Sequence, residues 1–215
     1  MTTPVLYDYW RSSASYRVRI ALNLMGIAYE TVPVDLLTAE HRSETHRARN
    51  PQGLLPALDI DGRMFTQSLA IIEYLDETRP GAGLLPKDPE ERARVRALSY
   101  AIAMEIHPIC NTSVAAHVVD ITGGGEEARV AWMRHFIGPG LANFEAMLAD
   151  GGSGRFCHGD TPTMADICLM PQMFNARRWG ADIEGLRLVT MIADNCEELE
   201  SFAAAHPDRI GPPPK

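Results

Sequence analysis

The sequence predicts an α/β domain followed by an all-helical domain, and three observations support this. Over the first 80 residues, short segments with strand character alternate with segments of helical periodicity. From Glu90 onward the strand patterns vanish, and apolar residues recur only at helical spacing. Residues 80–89 between them form a connection rich in proline and glycine. We therefore expect one domain at residues 1–82 and a second at residues 89–215.

The first domain is predicted to contain a mixed four-stranded sheet. Its strands are expected at residues 5–9, 29–34, 57–60 and 63–66, with Asp61-Gly62 as a two-residue hairpin turn. Helices are expected at residues 18–26, 38–49 and 68–79, and Pro80 should end the last of them. The order strand, helix, strand, helix, hairpin, helix requires both parallel and antiparallel pairing.

The second domain is predicted to consist of helices only. One long helix should run from residue 90 to residue 121 with a kink at Pro108. The next should cover residues 130–148, bent or interrupted at Gly138-Pro139-Gly140. Thr163 and Asp166 have the spacing of a capping box, which opens a helix to residue 176. Two shorter helices, at 188–193 and 196–205, precede a proline-rich tail.

Composition excludes several classes of function. The 215 residues are 46% hydrophobic and 22% charged, with a net charge of −8 and no basic run, which argues against nucleic-acid binding. No segment approaches the roughly 20 apolar residues that span a bilayer. The four cysteines form neither a close-spaced metal pair nor a disulfide framework, so we expect reduced thiols. Because no signal-peptide pattern precedes the first strand, we expect a cytoplasmic protein.

Ser12 and Ser13 lie in the turn between the first predicted strand and helix. The N-terminus of a helix favours negative charge, and a thiolate placed there has a lowered pKa. The turn contains no cysteine, so such a thiolate would have to arrive on a ligand. The alternative is that the serines only cap the helix.

Motifs along nearly the whole chain resemble the zeta class of the glutathione transferase superfamily. Residues 11–22, RSSASYRVRIAL, are similar to its signature, except that Ala14 replaces a cysteine. Further similar segments are Asn50-Pro51, Leu55-Pro56, residues 67–75, Leu84-Leu85-Pro86, Gly159-Asp160, residues 163–166, Pro171-Gln172 and residues 175–179. The resemblance implies a thioredoxin-like first domain and a helical second domain, the glutathione transferase fold.

The resemblance also implies a glutathione site. Ser12, with Ser13 beside it, would stabilise the glutathione thiolate, and Ala14 and Ser15 complete the turn. Further implied contacts are Leu55 before a cis Pro56, the pair Gln67 and Ser68, His41, and His107, Asn111 and Ser113 of the second domain. For Ser68 the alternative is a helix cap; for His41 it is a solvated side chain, and for the last three a structural role.

Two arginines are implied to bind a dicarboxylate substrate. Arg11 precedes the serines, and Arg178 is similar to a family arginine that binds a substrate carboxylate. A guanidinium offers a planar pair of donors to a carboxylate. The alternative for each is a surface ion pair.

The implied activity is glutathione-dependent cis–trans isomerisation of maleylacetoacetate, from tyrosine breakdown. The thiolate would add to the conjugated double bond, allow rotation and leave, with arginines stabilising the enolate and no metal required. Alternatives are maleylpyruvate as substrate, transfer chemistry on small haloacids such as dichloroacetate, and a non-enzymatic binding role. Ala14 in place of the cysteine puts transferase side activities in doubt more than isomerisation. The resemblance further implies a homodimer.

Overall fold

The structure, a computed structural model, describes residues 2–79, 81 and 83–212. These residues form two compact units. The first comprises the residues up to Leu84 together with those from Glu198 onward, and the second is Leu85–Glu197. Pro80 and Ala82, both named in the predicted connection, lie outside the described residues. The segment from Glu198 onward packs with the first unit, whereas the prediction included it in the second domain. The domain boundaries 1–82 and 89–215 stay a prediction.

The first unit contains the predicted mixed sheet. Its strands are β1 (Val5–Asp8), β2 (Glu30–Pro33), β3 (Ala57–Ile60) and β4 (Arg63–Thr66), in the order β2-β1-β3-β4. β1 pairs parallel with β2, whereas β3 is antiparallel to both β1 and β4. Asp61 and Gly62 have φ of 56° and 73°, the positive values that a two-residue hairpin of this kind requires. The hairpin prediction is confirmed.

The helices, in chain order, are α1 (Ser13–Leu24), α2 (Glu44–Arg47), α3 (Ser68–Thr78), α4 (Pro89–Tyr100), α5 (Thr112–Thr122), α6 (Gly125–Leu148), α7 (Met164–Trp179), α8 (Arg187–Glu197), α9 (Glu200–Ala205) and α10 (Pro207–Ile210). The helix predicted at 38–49 is instead a 3-10 turn, Glu40–Arg42, followed by the single turn of α2. α10 lies where the sequence predicted only a tail. None of the described helices is long and apolar enough to cross a membrane.

Helix α1 begins five residues earlier than predicted and is buried on nearly all sides. From Ser15 to Leu22 every residue is buried, because α1 packs against both α3 and α9 within the first unit. Arg17 and Arg19 are only 2% and 0% exposed, so their charges need partners inside the protein.

The long helix predicted at 90–121 is wrong, since the chain forms two helices there. After α4 the backbone continues as a π-helical segment, Ala101–Ile106, and then turns. Pro108 lies in that turn and has no N–H to continue the helix. Asn111 then caps α5, because its side chain accepts a hydrogen bond from the backbone of Ser113 at 3.2 Å.

Helix α6 continues through Gly138-Pro139-Gly140, so an interruption there was a wrong expectation. The two glycines allow close packing within the second unit. A Cβ on Gly140 would lie 2.6 Å from the Ile106 side chain, and one on Gly138 would lie 3.3 Å from the carbonyl oxygen of Asp182. Tertiary packing therefore accounts for these glycines better than helix breaking.

The predicted capping box at the start of α7 is confirmed. The carboxylate of Asp166 accepts hydrogen bonds from the backbone and hydroxyl of Thr163, at 2.7 and 2.9 Å, and from the backbone of Cys157 at 2.8 Å. Burial raises the pKa of Asp166, and these hydrogen bonds oppose that shift. The box thus ties the preceding loop to α7, which extends to Trp179 rather than ending at residue 176.

Candidate active site

Ser12 is the N-cap of α1 and remains partly accessible. Its Oγ accepts a hydrogen bond from the backbone of Ser15 at 3.2 Å, so the capping role proposed for it is real. A hydroxyl that accepts through a lone pair still has its hydrogen to donate. Ser12 can therefore cap the helix and donate to an anion at the same time, and the two interpretations are compatible.

The rest of the serine turn presents backbone rather than side chains. Ser13 is 8% exposed and Ser15 is fully buried, whereas Ala14 is partly exposed. The N–H of Ala14 lies in the first turn of α1, where no carbonyl four residues earlier belongs to the helix. This end of the helix is consequently a favourable place for negative charge.

Asp8 and Arg19 support the turn, and sequence reasoning missed both. Nη1 of Arg19 donates to the two carboxylate oxygens of Asp8 at 2.7 and 2.8 Å, and Nη2 donates to the carbonyl of Trp10 at 2.9 Å. The sequence did contain a signal for Arg19, because a charged residue that is flanked by apolar residues on a helix is expected to have a partner if it is buried. Its partner could not be identified from sequence spacing.

Leu55 and Pro56 are joined by a cis peptide bond, as the resemblance implied. The Leu55 side chain is buried against Tyr9 and Val34, and Trp10 packs on the same cluster. Because Tyr9 and Trp10 immediately precede the serine turn, this cluster places Leu55 beside it.

Gln67 and Ser68 lie at the start of α3. Gln67, not Ser68, is the N-cap residue, with φ 68° and ψ 110°, so the capping alternative for Ser68 was wrong. Such a backbone is uncommon for a residue with a side chain and is often found at functional sites. The Gln67 amide donates to Oε1 of Gln52 at 2.7 Å.

Ser68 connects α3 to the helix that carries the serine turn. It is 6% exposed, and its Oγ accepts a hydrogen bond from Nη1 of Arg17 at 3.4 Å. The first unit therefore brings together three of the predicted segments: the serine turn, the Leu55 loop and the N-terminus of α3.

His41 lies in the 3-10 turn and is partly exposed. Burial of the ring, together with the positive charge of Arg42 and Arg47, lowers its pKa. The imidazole is therefore biased toward its neutral form, in which it can still form a hydrogen bond with a ligand but no strong ion pair.

Arg11 stacks on the aromatic residues that precede it. Its guanidinium carbon is 4.7 Å from the centroid of the Trp10 ring, and Nη2 donates to the Tyr9 hydroxyl at 3.0 Å. No acidic partner of Arg11 is found in the described part of the chain, so the surface ion pair proposed as the alternative is not formed there. The stacking orients a partly buried cation next to Ser12.

Asn111 and Ser113 have a structural role in the second unit, where Asn111 caps α5. The Ser113 hydroxyl also donates to Oδ1 of Asn111, at 3.4 Å. His107 is partly exposed in the turn before this cap, and its backbone N–H donates to the carbonyl of Ile102 at 2.9 Å. The local geometry thus explains Asn111 and Ser113 without a ligand, and the contact of all three residues with glutathione stays a prediction.

Arg178 and Arg177 are neighbours at the end of α7 with different surroundings. Arg177 forms ion pairs with Asp194 and Glu197 on α8. Arg178 is exposed, and its guanidinium lies over the ring of Trp179, 4.8 Å from the centroid. The binding of a substrate carboxylate by Arg178 stays a prediction.

The protein's own thiols are poor nucleophiles. All four cysteines are free, and three of them are buried. Burial raises the pKa of Cys110 to about 11 and that of Cys157 well above its ordinary value. A thiolate acting near neutral pH is therefore better supplied by a ligand.

Comparisons with known proteins decide the family. Residues 6–83 match the family model for the glutathione S-transferase N-terminal domain. The maleylacetoacetate isomerase of Rhizobium meliloti strain 1021 is 63% identical to this chain, over 97% of this chain and 98% of the relative. A bacterial zeta-class glutathione transferase of known structure is 42% identical over 95% of this chain. The chain belongs to the zeta class of the glutathione transferases.

Two solved structures have the same fold as this zeta-class chain. The holo structure of a maleylpyruvate isomerase, a bacterial zeta-class enzyme, has a TM-score of 0.92 at 42% identity. The maleylacetoacetate isomerase of Methylobacterium extorquens AM1, with bound malonate and glutathione, has a TM-score of 0.91 at 41% identity. Each match covers 95% of this chain and 97% of the solved one. The predicted glutathione transferase fold, with its thioredoxin-like first domain, is confirmed.

Proposed function

We propose that this zeta-class chain is a glutathione-dependent cis–trans isomerase acting on maleylacetoacetate. The observation that carries the proposal is the position of Ser12, which caps α1 and retains a hydroxyl hydrogen to donate. The 63% identity to a maleylacetoacetate isomerase supports this substrate over maleylpyruvate, whose isomerase is 42% identical.

The residues of the first unit suit glutathione. The N-terminus of α3 at Ser68 favours the γ-glutamyl carboxylate, and the Gln67 side chain is exposed beside it. Leu55 would pair its backbone with the cysteinyl part, and His41 would contact the other end. When bound, glutathione supplies a thiolate that adds reversibly to a conjugated double bond, which permits rotation about that bond.

The chain's own residues would stabilise two negative charges, that of the glutathione thiolate and that of the substrate. The Ser12 hydroxyl and the N-terminus of α1, with Ser13, Ala14 and Ser15, would favour the ionised thiol over the neutral one. Arg11 and Arg178 would bind the two carboxylates of the substrate and stabilise negative charge that develops on its carbonyl oxygen. His107, Asn111 and Ser113 would line the glutathione site from the second domain.

We further expect a homodimer, as the resemblance to the zeta class implies, and a cytoplasmic location, which the four free cysteines support. Light scattering on the purified protein measures the mass in solution. A mass twice the 23.7 kDa of one chain supports the dimer, and a mass of one chain contradicts it.

The decisive experiment is an isomerase assay with maleylacetoacetate and maleylpyruvate in parallel, each with and without glutathione. We expect glutathione-dependent turnover of maleylacetoacetate well above that of maleylpyruvate. The reverse preference would identify maleylpyruvate as the substrate and would leave the proposed reaction class unchanged. Binding of glutathione without turnover of either compound would overturn the proposal.

A further inference from the structure

The carbonyl of Leu54, one residue before Leu55, accepts two side-chain hydrogen bonds. Nδ2 of Asn50 donates to it at 2.9 Å, and Nε2 of His46 lies 3.0 Å from the same oxygen. Because a carbonyl oxygen can only accept, Nε2 of His46 must carry the hydrogen. Two buried side chains therefore hold one peptide group next to the expected glutathione contact.

His46 is placed for this contact by its own helix. It is 1% exposed in the single turn of α2, which Ser43 caps by accepting from the His46 backbone at 3.2 Å. Nδ1 of His46 is buried, with no hydrogen-bond partner among the described residues. Within the described part of the chain, the Leu54 carbonyl is the one polar contact of the His46 side chain. Burying a polar ring costs more than burying a hydrophobic side chain, which makes this contact the feature that calls for a histidine here.

Asn50 extends the arrangement toward the next turn. It is 2% exposed, its backbone N–H donates to the carbonyl of His46 at 2.9 Å, and its Oδ1 accepts from the backbone of Gln52 at 3.1 Å. Gln52 in turn accepts from Gln67. The hydrogen bonds thus run from α2 through the loop to the N-terminus of α3.

We propose that His46 is a positioning residue, whose Nε2–H orients the Leu54 carbonyl and thereby the backbone of Leu55 that pairs with glutathione. This inference rests on the proposed function, because it assumes that Leu55 contacts glutathione. His46 does not touch the ligand in this account. Without the imidazole the Leu54 peptide is held by Asn50 alone, and the backbone of Leu55 is fixed less firmly in the geometry that the tripeptide requires.

The test is the affinity for glutathione, measured by calorimetry on the full chain at a temperature where every variant is folded. His46→Leu removes the donor, and His46→Gln retains an N–H that can reach the carbonyl. Leu75→Val lowers stability by shortening a buried side chain of α3 that forms no hydrogen bond to Leu54. We expect His46→Leu to weaken binding about three- to ten-fold, as the loss of one hydrogen bond allows. The affinity of His46→Gln for glutathione should lie within about two-fold of the wild-type value, and the affinity of Leu75→Val should equal the wild-type value.

Wild-type affinity in folded His46→Leu would overturn the inference, and so would equal weakening in His46→Leu and His46→Gln. If His46→Leu does not fold, Asn50→Asp tests the same carbonyl, since it keeps an acceptor for Gln52 and loses the donor; unchanged affinity there would also count against the inference. Calorimetry needs no isomerisation substrate. Failure of the proposed function appears instead as a wild-type protein that binds glutathione and isomerises nothing.

Discussion

Arg19 and Asp8 form an ion pair whose two side chains are 0% and 2% exposed. Asp8 is the last residue of β1, and Arg19 lies in the second turn of α1. Arg19 also donates to the carbonyl of Trp10 and, through Nε at 3.0 Å, to the carbonyl of Ala205, the last residue of α9. One guanidinium therefore connects the strand, the residue that leads into the serine turn, and the terminal segment of the chain.

Replacing Arg19 by Met should destabilise the protein by about 3–5 kcal/mol, because the Asp8 carboxylate would be left buried without its counter-charge. Urea unfolding measures this free energy. The double variant Asp8→Leu/Arg19→Met should recover much of the loss, since neither charge then remains buried. A single variant as stable as the wild type would contradict the assigned role.

Ser12→Ala should lower turnover at saturating substrate by about ten-fold or more, which corresponds to the loss of ~1.4 kcal/mol of thiolate stabilisation. Capping is lost as well, so the control is Ser12→Asp, whose carboxylate caps the helix but cannot donate. We expect Ser12→Asp to restore the unfolding temperature and not the turnover. Full activity in Ser12→Ala would transfer the role to Ser13 or to the backbone.

Arg178→Ala should raise KM for the dicarboxylate about ten-fold and leave the affinity for glutathione unchanged, because the lost contact is to the substrate. Its neighbour provides a matched control. Arg177 is already paired with Glu197 and Asp194, so Arg177→Ala should leave KM unchanged and cost less than about 1 kcal/mol of stability. Weaker glutathione binding in Arg178→Ala would show that the assignment is wrong.

Arg94 and Asp150 give a pH-dependent contribution to stability in the second unit. Two guanidinium nitrogens of Arg94 donate to the Asp150 carboxylate, both at 2.7 Å, and Nη1 donates to the carbonyl of Cys157 at 2.8 Å. The two hydrogen bonds from Arg94 to the carboxylate, with one from the backbone of Gly152, lower the pKa of Asp150 to about 2.

A lowered carboxyl pKa stabilises the folded state above the ordinary value of 3.8, and the gain disappears as the pH falls toward about 2. Wild-type protein should therefore exceed Asp150→Asn in unfolding free energy at pH 6, by less than about 1 kcal/mol because the carboxylate is half exposed. The difference should shrink between about pH 4 and pH 2 in chemical unfolding experiments. Asp120→Asn, at an exposed carboxylate on α5, is the control. A gap that persists at pH 2 would contradict this account.

The glycine-proline segment in α6 shows where sequence reasoning reaches its limit. Gly138, Pro139 and Gly140 are locally unfavourable in a helix, and their chemistry predicted a bend or break. The helix nevertheless continues, and a contact explains the glycine at position 140, where a Cβ would collide with Ile106, which is 34 residues earlier in the chain. Local propensity was overridden by a contact that no sequence window contains.

The sequence by itself determined the four strands of the first unit, the Asp61-Gly62 hairpin, the capping box at Thr163 and the serine turn at a helix N-terminus. Each of these depends on interactions between residues a few positions apart, which a periodicity or a turn motif records. Only the tertiary structure decided which charges are paired and which backbone groups are held. Arg19 finds Asp8 and Ala205, and His46 finds the carbonyl of Leu54, because folding brings their segments together. A buried polar group must form a hydrogen bond wherever its partner lies in the chain. Such long-range pairs produce no periodic pattern in the sequence from which they could be predicted.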